Sequence, residues 1–567
     1  MAAFLSILKK KILFFLFPLT MKTVNFPSWS SVPAMVSLPD DESAAACNTM
    51  TPGEGALPPN TFLDLLGLDG NAAKVTARSS FVDPLFLIME NSLRRLGVLV
   101  APPQKANDSA VNKMRDLAQL IDDSMTHPHR CYHRPEHVLT ILRNLNDPIS
   151  ILAALFHDVV YYQVDGELSP RQAAALKGAI TIQLGEDGAK SFVVGDTSIS
   201  PDNDEPDDLL LMVMSIFGLH VGQTITPFTG LSEYLSAVVA VRELESILLP
   251  RGLRGQQIHA QVACCIEATI PFRIGGEAVM DRLYENMMRT NDRFQLLLTP
   301  EQLVESVQRA ALLNNEDVGN FASQDAAMFL DNTWSLLPES NPVLRGNPNH
   351  YTISEMQTAL FKMYGFFGFL QPSVVFQRFR GVPKDYASKE KWATRNIELG
   401  RYYLGAQLLS SSVLAAFAEL TGGDAPVSVF LGNFSISNAG VGTRVVAQPI
   451  PHLNQGEVEE LGKTDRAVYD LLVNGRHREL PFDTRQAPLA AYLYGILGTE
   501  FVESTLKKIK VVPMDKEIAE RLLLALPVNT MRIVAGTLAG QVSSRSGLIK
   551  LVEEQIAQKN AQDRYFL

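Results

Sequence analysis

The stretch from Arg130 to Tyr162, RCYHRPEHVLTILRNLNDPISILAALFHDVVYY, carries the strongest signals in the chain. Five of the ten histidines fall between His127 and His157. Two of these, His133 and His137, flank a proline that favours the first turn of a helix. Because residues four positions apart lie on one helical face, we expect the two imidazoles to be neighbours.

A second apolar run, PISILAALFHDVVYY at positions 148–162, is also opened by a proline. It is apolar nearly all round, which predicts a buried helix. His157 and Asp158 lie inside this run, and an unpartnered charge buried there would be costly. A metal ion would satisfy both side chains, since imidazole and carboxylate are common ligands of Zn, Fe, Mn and Co.

This pattern resembles the HD superfamily of metal-dependent phosphohydrolases. YHRPEHV is similar to the YHNxxHA segment of cyclic nucleotide phosphodiesterases and to the YHxxxH segment of small bacterial HD phosphohydrolases. In addition, FHDVVY resembles the FHDxVY segment of that bacterial group. Three later segments follow the order of the bacterial group: SEYLSA (Ser232–Ala237), CIEATIPF (Cys265–Phe272) and NNEDVGNF (Asn314–Phe321). Phe272 stands where that group has histidine, and Ser232 stands where it has asparagine.

The resemblance implies a ligand set for one or two divalent ions (Mn, Fe, Zn or Mg), consisting of His137, His157, Asp158 and Asp317. It implies that His133 is the general acid to the leaving group, a role suited to a group that titrates near neutral pH. We expect Glu233 to act as a base or to orient a ligand. For Asp317, the other acidic candidates are Glu316, Asp281, Asp292, Asp325 and Asp331.

A phosphorylated substrate also needs cations near its oxygens. Arg134, Arg273 and Arg309 are the candidates, because they lie close to the motif residues in sequence. Arginine suits this role because its guanidinium forms paired hydrogen bonds with phosphate oxygens. We expect the partner to be a small phosphorylated molecule, a nucleotide above all.

Charge and composition limit the other partners. The 567-residue chain has a net charge of −11, which argues against broad nucleic-acid binding. Its four cysteines form neither a disulfide framework nor a CxxC zinc motif, so we predict a cytoplasmic protein. The segment KKKILFFLFPLT at positions 9–20 resembles the start of a signal peptide, which leaves export as the alternative. It is too short to span a bilayer, and we expect no stable membrane insertion.

Helical periodicity dominates the chain, which predicts a mainly α fold: an HD helical bundle followed by a largely helical C-terminal region, with a small β element. We divide the chain into an irregular arm (1–76), an HD domain (77–337) with an insertion around 163–230, and a C-terminal region (338–567). Strands are predicted at Ser191–Gly195 and within Val427–Ile450. The C-terminal region would cap the site, form a homodimer or bind another partner.

The predicted activity is hydrolysis of a phosphodiester or nucleotide by metal-activated water. Two other interpretations remain open. One is a catalytically degenerate HD domain that binds a nucleotide as a sensor or regulator. The other is a di-iron oxygenase, which would need additional histidines and is disfavoured by Phe272.

Overall fold

The structure is a computed structural model, and it describes residues 80–99, 109–185, 190–195, 207–346, 348–431 and 450–565. The predicted arm (1–76) and the signal-like segment lie outside these ranges. The described residues form a mainly α fold with one small antiparallel sheet, as predicted.

The first part of the chain holds the sheet and the helices that carry the predicted motifs. These elements are α1 (Val82–Arg95), α2 (Ser109–Met125), α3 (Pro135–Leu142), α4 (Pro148–Phe156), α5 (Tyr162–Asp165), α6 (Pro170–Ala175), β1 (Ile180–Leu184), β2 (Lys190–Val194), α7 (Asp208–Phe217), β3 (Thr224–Ile225), α8 (Leu231–Leu248), α9 (Leu253–Ala268), α10 (Glu277–Arg293) and α11 (Pro300–Asp317).

Among the described residues of the second part, the elements between the loops are helices. Its helices are α12 (Ala326–Ser340), α13 (Ile353–Phe369), α14 (Tyr386–Leu420), α15 (Val427–Leu431), α16 (Gln455–Glu459), α17 (Lys463–Asn474), α18 (Pro488–Lys508), α19 (Lys516–Ala525), α20 (Val528–Gln541) and α21 (Ser546–Tyr565).

The two motif helices begin where the prolines predict but end earlier than expected. Pro135 and Pro148 open α3 and α4, and the Asp147 carboxylate caps α4 by accepting two backbone N–H bonds. The prediction of one helix over 148–162 is wrong, because α4 ends at Phe156. His133 likewise precedes α3, so the two imidazoles do not share a helical face, although their ring centroids lie 5.7 Å apart.

The small β element lies in the predicted insertion. Its three strands are antiparallel in the order β1-β2-β3, with Ile180 opposite Val194 and Phe192 opposite Ile225. The strand predicted at Ser191–Gly195 is confirmed by β2. The other predicted strand region begins with the helix Val427–Leu431 instead, and its residues 432–449 lie outside the described ranges.

Two hydrophobic cores organise the packing. The first is formed mainly by α1 to α11, and the second mainly by the helices from α12 onward. Each core receives a residue from the other half, because Phe379 packs in the first and Phe272 packs against the second. The segments before α10 and after α13 therefore hold the two halves together beside the site.

One described helix, Tyr386–Leu420, is long and apolar enough to cross a membrane. Within its most apolar window, 83% is buried inside the protein. The same length and composition are found in the core helix of a water-soluble protein, and here the helix forms the centre of the second core.

Candidate metal centre

Three predicted ligands converge at the ends of α3 and α4. His137 lies in the first turn of α3, whereas His157 and Asp158 directly follow the last turn of α4. One ligand atom from each of these side chains lies within 4.8 Å of the other two. This His-His-Asp group could hold a metal ion, since its donors are the types that bind divalent transition metals.

Asp317 reaches the same group from the last residue of α11. Its Oδ1 lies 2.9 Å from His137 Nε2 and 3.5 Å from His157 Nε2. Its neighbour Glu316 instead accepts a hydrogen bond from Asn144 at 2.7 Å. Asp325 pairs with His477, and Asp331 lies beside Arg476 and Arg478, so these alternatives are engaged elsewhere.

The tautomer of His157 suits the binding of a cation at Nε2. Its Nδ1 lies 2.8 Å from the Ala154 carbonyl oxygen, to which it must donate, so Nε2 faces the carboxylates. Nε2 and Asp158 Oδ2 are 3.0 Å apart, yet both are buried without a hydrogen bond of good geometry among the described residues. A lone pair facing two carboxylates is stabilised only by a cation between them, either a proton on the ring or a metal ion.

The acid–base properties of the group follow from the same arrangement. Burial disfavours the charged imidazole, but Asp158 and Asp317 outweigh it and raise the pKa of His157 well above its usual value. Burial also opposes ionisation of Asp158, whereas the adjacent His157 lowers the pKa of that carboxyl. The site therefore favours one positive charge beside ionised carboxylates.

Two buried contacts fix the backbone that carries this group. Arg130 donates to the Asp158 carbonyl oxygen at 2.7 Å and forms two bonds with the Asp165 carboxylate at 2.9 and 2.6 Å. Ser236, on α8, accepts a bond from the Val160 N–H at 3.0 Å. The SEYLSA segment is thus bonded directly to the segment that follows Asp158.

His133 forms a second histidine–carboxylate pair, which the sequence did not predict. Its Nδ1 lies 2.6 Å from Oε2 of Glu339, a buried residue near the end of α12. The other oxygen of Glu339 accepts the N–H groups of Cys131, Tyr132 and His133 at 2.7, 2.7 and 3.1 Å. Burial lowers the pKa of His133, but Glu339 and Asp158 outweigh it and raise that pKa above its usual value.

Glu233 lies in the first turn of α8. It lines a cavity whose lining also includes His157, Asp158 and Asp317. Its Oε2 is buried and has no hydrogen-bond partner among the described residues. Burial, together with the negative charges of Asp158 and Asp317, raises the pKa of Glu233 to about 8. An additional cation at the centre would favour the ionised form.

Only one of the three predicted phosphate-binding arginines lines this cavity. Arg273 does so, although its guanidinium is bonded to Glu267, at 2.5 Å for the shortest contact. Arg134 is half-exposed beside Glu136, and Arg309 forms an ion pair with Asp147 at 2.7 Å, away from the cavity lining. Three further arginines line the cavity from one side of α10: Arg282, Arg289 and Arg293.

The cavity has a volume of about 1920 Å³ and extends well beyond the metal ligands. Phe272, the residue at the family's histidine position, lines it with a backbone φ of +52°, which is rare for a bulky residue. Its ring contacts Phe321 and Phe366 at centroid distances of 5.6 and 5.5 Å. Phe272 therefore belongs to an aromatic cluster instead of the ligand group.

Comparison of the chain with protein-family models, with curated proteins and with solved structures finds no match. The HD resemblance therefore depends on the motif residues and on the geometry they form.

Proposed function

We propose that this protein is an HD-type metal-dependent phosphohydrolase that cleaves a phosphate ester, either a phosphodiester or a nucleotide. The observation that carries the proposal is the convergence of His137, His157, Asp158 and Asp317 beside the His133–Glu339 pair. Four separate segments of the chain supply these groups, and an arrangement of ligands next to a fixed proton donor suits hydrolysis at phosphorus.

The four ligands would hold one divalent ion, and Asp158 is the candidate for bridging to a second ion. When bound, the metal would lower the pKa of a coordinated water and draw negative charge from the phosphoryl oxygens. His157 contributes Nε2 to this site because its Nδ1 is held by the Ala154 carbonyl.

His133 would donate a proton to the leaving oxygen. The Glu339 carboxylate raises the pKa of His133, which favours the protonated imidazole that carries a proton at Nε2. Because Glu339 also accepts three backbone N–H groups, the ring is fixed in direction before a substrate arrives. Glu339 is thus a positioning residue for the proposed general acid.

Glu233 and Arg273 would assist at the edges of this centre. Glu233, with a pKa near 8, can accept a proton from water within the cavity when it is ionised. Arg273 faces the cavity and would need to loosen its bonds to Glu267 to contact a phosphoryl oxygen. Arg282, Arg289 and Arg293 supply further positive charge along α10.

The test is hydrolysis of bis-p-nitrophenyl phosphate by chelator-treated protein reloaded with Mn²⁺, Fe²⁺, Zn²⁺ or Mg²⁺. We expect activity only after reloading, and its loss in the His157→Ala/Asp158→Ala double variant. His477→Ala is the matched control, because His477 pairs with Asp325 at 2.7 Å on the surface. Metal binding without turnover of this ester or of any ester in a panel of nucleotides and alkyl phosphodiesters would overturn the hydrolase and favour the sensor.

A further inference from the structure

We propose that the substrate is a phosphodiester with a long apolar alcohol, whose chain is bound by an apolar wall next to the metal centre. The apolar wall consists of Leu211, Phe217, Ile270, Phe272, Phe366 and Leu370, all of which line the cavity. This inference rests on the proposed function, because the phosphate would be placed by the metal ligands. It adds the class of the organic group.

The apolar wall begins directly beside the acidic groups. Phe321, whose N–H bonds to the Val318 carbonyl just after Asp317, contacts the Phe272 ring. On another side, Ile270 packs against Gly230, which immediately precedes α8 and lies close to Glu233. A Cβ at Gly230 would lie 2.4 Å from Ile270 Cδ1 and 3.7 Å from Glu233 Oε2. An ester bound at the centre would therefore meet apolar side chains at once.

The apolar wall also leaves surface that a ligand could cover. Leu211, Phe217, Phe272 and Phe366 are only half-buried, and the neighbouring lining residue Ile274 is 48% exposed. Each of them would lose contact with water if an apolar chain lay against it, which is favourable in proportion to the area covered. Clusters of this kind in a concave site favour binding of an apolar group.

Three amide side chains that line the cavity form hydrogen bonds within the protein. The Gln163 Oε1 accepts from Ser232 at 2.7 Å, and the Gln223 Oε1 accepts from the His220 N–H at 3.1 Å. Asn286 donates to the Ile216 carbonyl at 2.9 Å and accepts from Arg289. These bonds use part of the hydrogen-bonding capacity with which the three amides could recognise a base edge.

The size of the cavity supports the same choice. Its volume of about 1920 Å³ exceeds the ~300–1000 Å³ that is usual for small-molecule sites. A phosphate with a short organic group would leave much of the apolar lining in contact with water. A longer alkyl chain would cover more of it.

The experiment is a titration of n-butyl, n-hexyl, n-octyl and n-decyl phosphate, below their micellar concentrations, followed by isothermal calorimetry. The protein is the Mn²⁺-loaded His133→Ala variant, which keeps every proposed metal ligand and lacks the proposed proton donor. We expect the dissociation constant to fall about threefold for each added methylene, since each buried methylene adds a similar increment. Adenosine monophosphate, titrated in parallel, should bind more weakly than the decyl ester.

Matched variants locate the effect. Phe366→Ser should reduce the gain in affinity from the butyl to the decyl ester by at least about fivefold, because it removes part of the apolar wall. Phe361→Ser, on the same helix α13 but outside the cavity lining, should leave the chain-length series unchanged. If Phe366→Ser does not fold, the chain-length series measured with Phe366 in place still tests the inference.

The possible results separate this inference from the proposed function. Equal affinity across the series, or tighter binding of adenosine monophosphate than of the decyl ester, would overturn the inference and leave the hydrolase untouched. A steep series without hydrolysis of any phosphate ester by the unaltered protein would support the apolar wall and overturn the hydrolase. A steep series that is lost in both phenylalanine variants would also contradict the assignment of Phe366.

Discussion

Two histidine–carboxylate groups face the same cavity, and they differ in how their buried polar atoms are satisfied. At His133, protein satisfies the Nδ1 side of the ring, because Glu339 accepts one imidazole bond and three backbone bonds. At His157, Nε2 and the Asp158 Oδ2 are close but form no satisfactory hydrogen bond among the described residues. Glu339 therefore fixes the His133 ring, whereas the His157 group could be completed by a metal ion.

The largest expected effect comes from removing His133, the proposed proton donor. His133→Ala should lower the rate of phosphodiester hydrolysis by about 10²–10⁴-fold, the usual contribution of general acid catalysis. Metal content should not change, since the ring is not a proposed ligand. The check is a steady-state assay beside elemental analysis, with His477→Ala as the control. A variant that loses metal along with activity would show that His133 belongs to the ligand group.

Glu339→Gln should have the next largest effect, and it should depend on pH. Glu339 raises the pKa of His133, so its neutralisation should lower that pKa. The protonated imidazole is the active form. As the pH rises, the variant should therefore lose activity at a lower pH than the unaltered protein does. We also expect a loss of about 1–3 kcal/mol in the free energy of unfolding, from weaker bonds to three buried N–H groups.

The pH–rate profile and urea unfolding of Glu339→Gln measure the two effects separately. A uniform fall in rate with no displacement of the alkaline limb would contradict the role given to Glu339.

Glu233→Gln should change the pH dependence of stability in the metal-free protein. The folded pKa of Glu233 is raised from 4.5 to about 8, so folding favours its protonated form. Its contribution is present below pH 4.5 and is lost as the pH rises toward 8, with a limiting slope of about 1.4 kcal/mol per pH unit. The variant should lose that slope. Urea unfolding from pH 5 to pH 8 in chelator is the measurement, and an unchanged slope would refute the raised pKa.

The smallest effect is expected at Arg134. Its side chain is half-exposed, and its Nε lies 3.6 Å from the Glu136 carboxylate. Arg134→Ala should change stability by less than about 0.5 kcal/mol and the hydrolysis rate by less than about twofold, as is usual for surface ion pairs. A tenfold loss of rate would show that this arginine reaches the substrate.

The sequence predicted the parts of the fold that depend on local signals. Pro135 and Pro148 marked helix starts, and the apolar periodicity predicted a mainly α fold. The turn that ends α4 before His157 was missed, because an apolar run has the same appearance whether or not the helix continues. The helix at Val427–Leu431 was missed because β-branched residues and glycines there favoured a strand.

Within the candidate site, the HD resemblance implied His137, His157, Asp158 and Asp317 as ligands, and the structure brings these four together. Glu339 was missed because it lies 206 residues from His133, in the region (338–567) predicted to follow the HD domain. The arginines were chosen by closeness in sequence, and Arg309 instead pairs with the residue that caps α4. Long-range partners of this kind leave no local pattern.

The most direct test of the account is the metal content of the purified protein, measured by elemental analysis after equilibration with divalent metals and desalting. The account predicts stoichiometric metal in the unaltered chain and in His477→Ala, and its loss in the His157→Ala/Asp158→Ala variant. Absence of metal from the unaltered protein, or the same content in the double variant, would contradict the claim that a metal ion completes the His157 group.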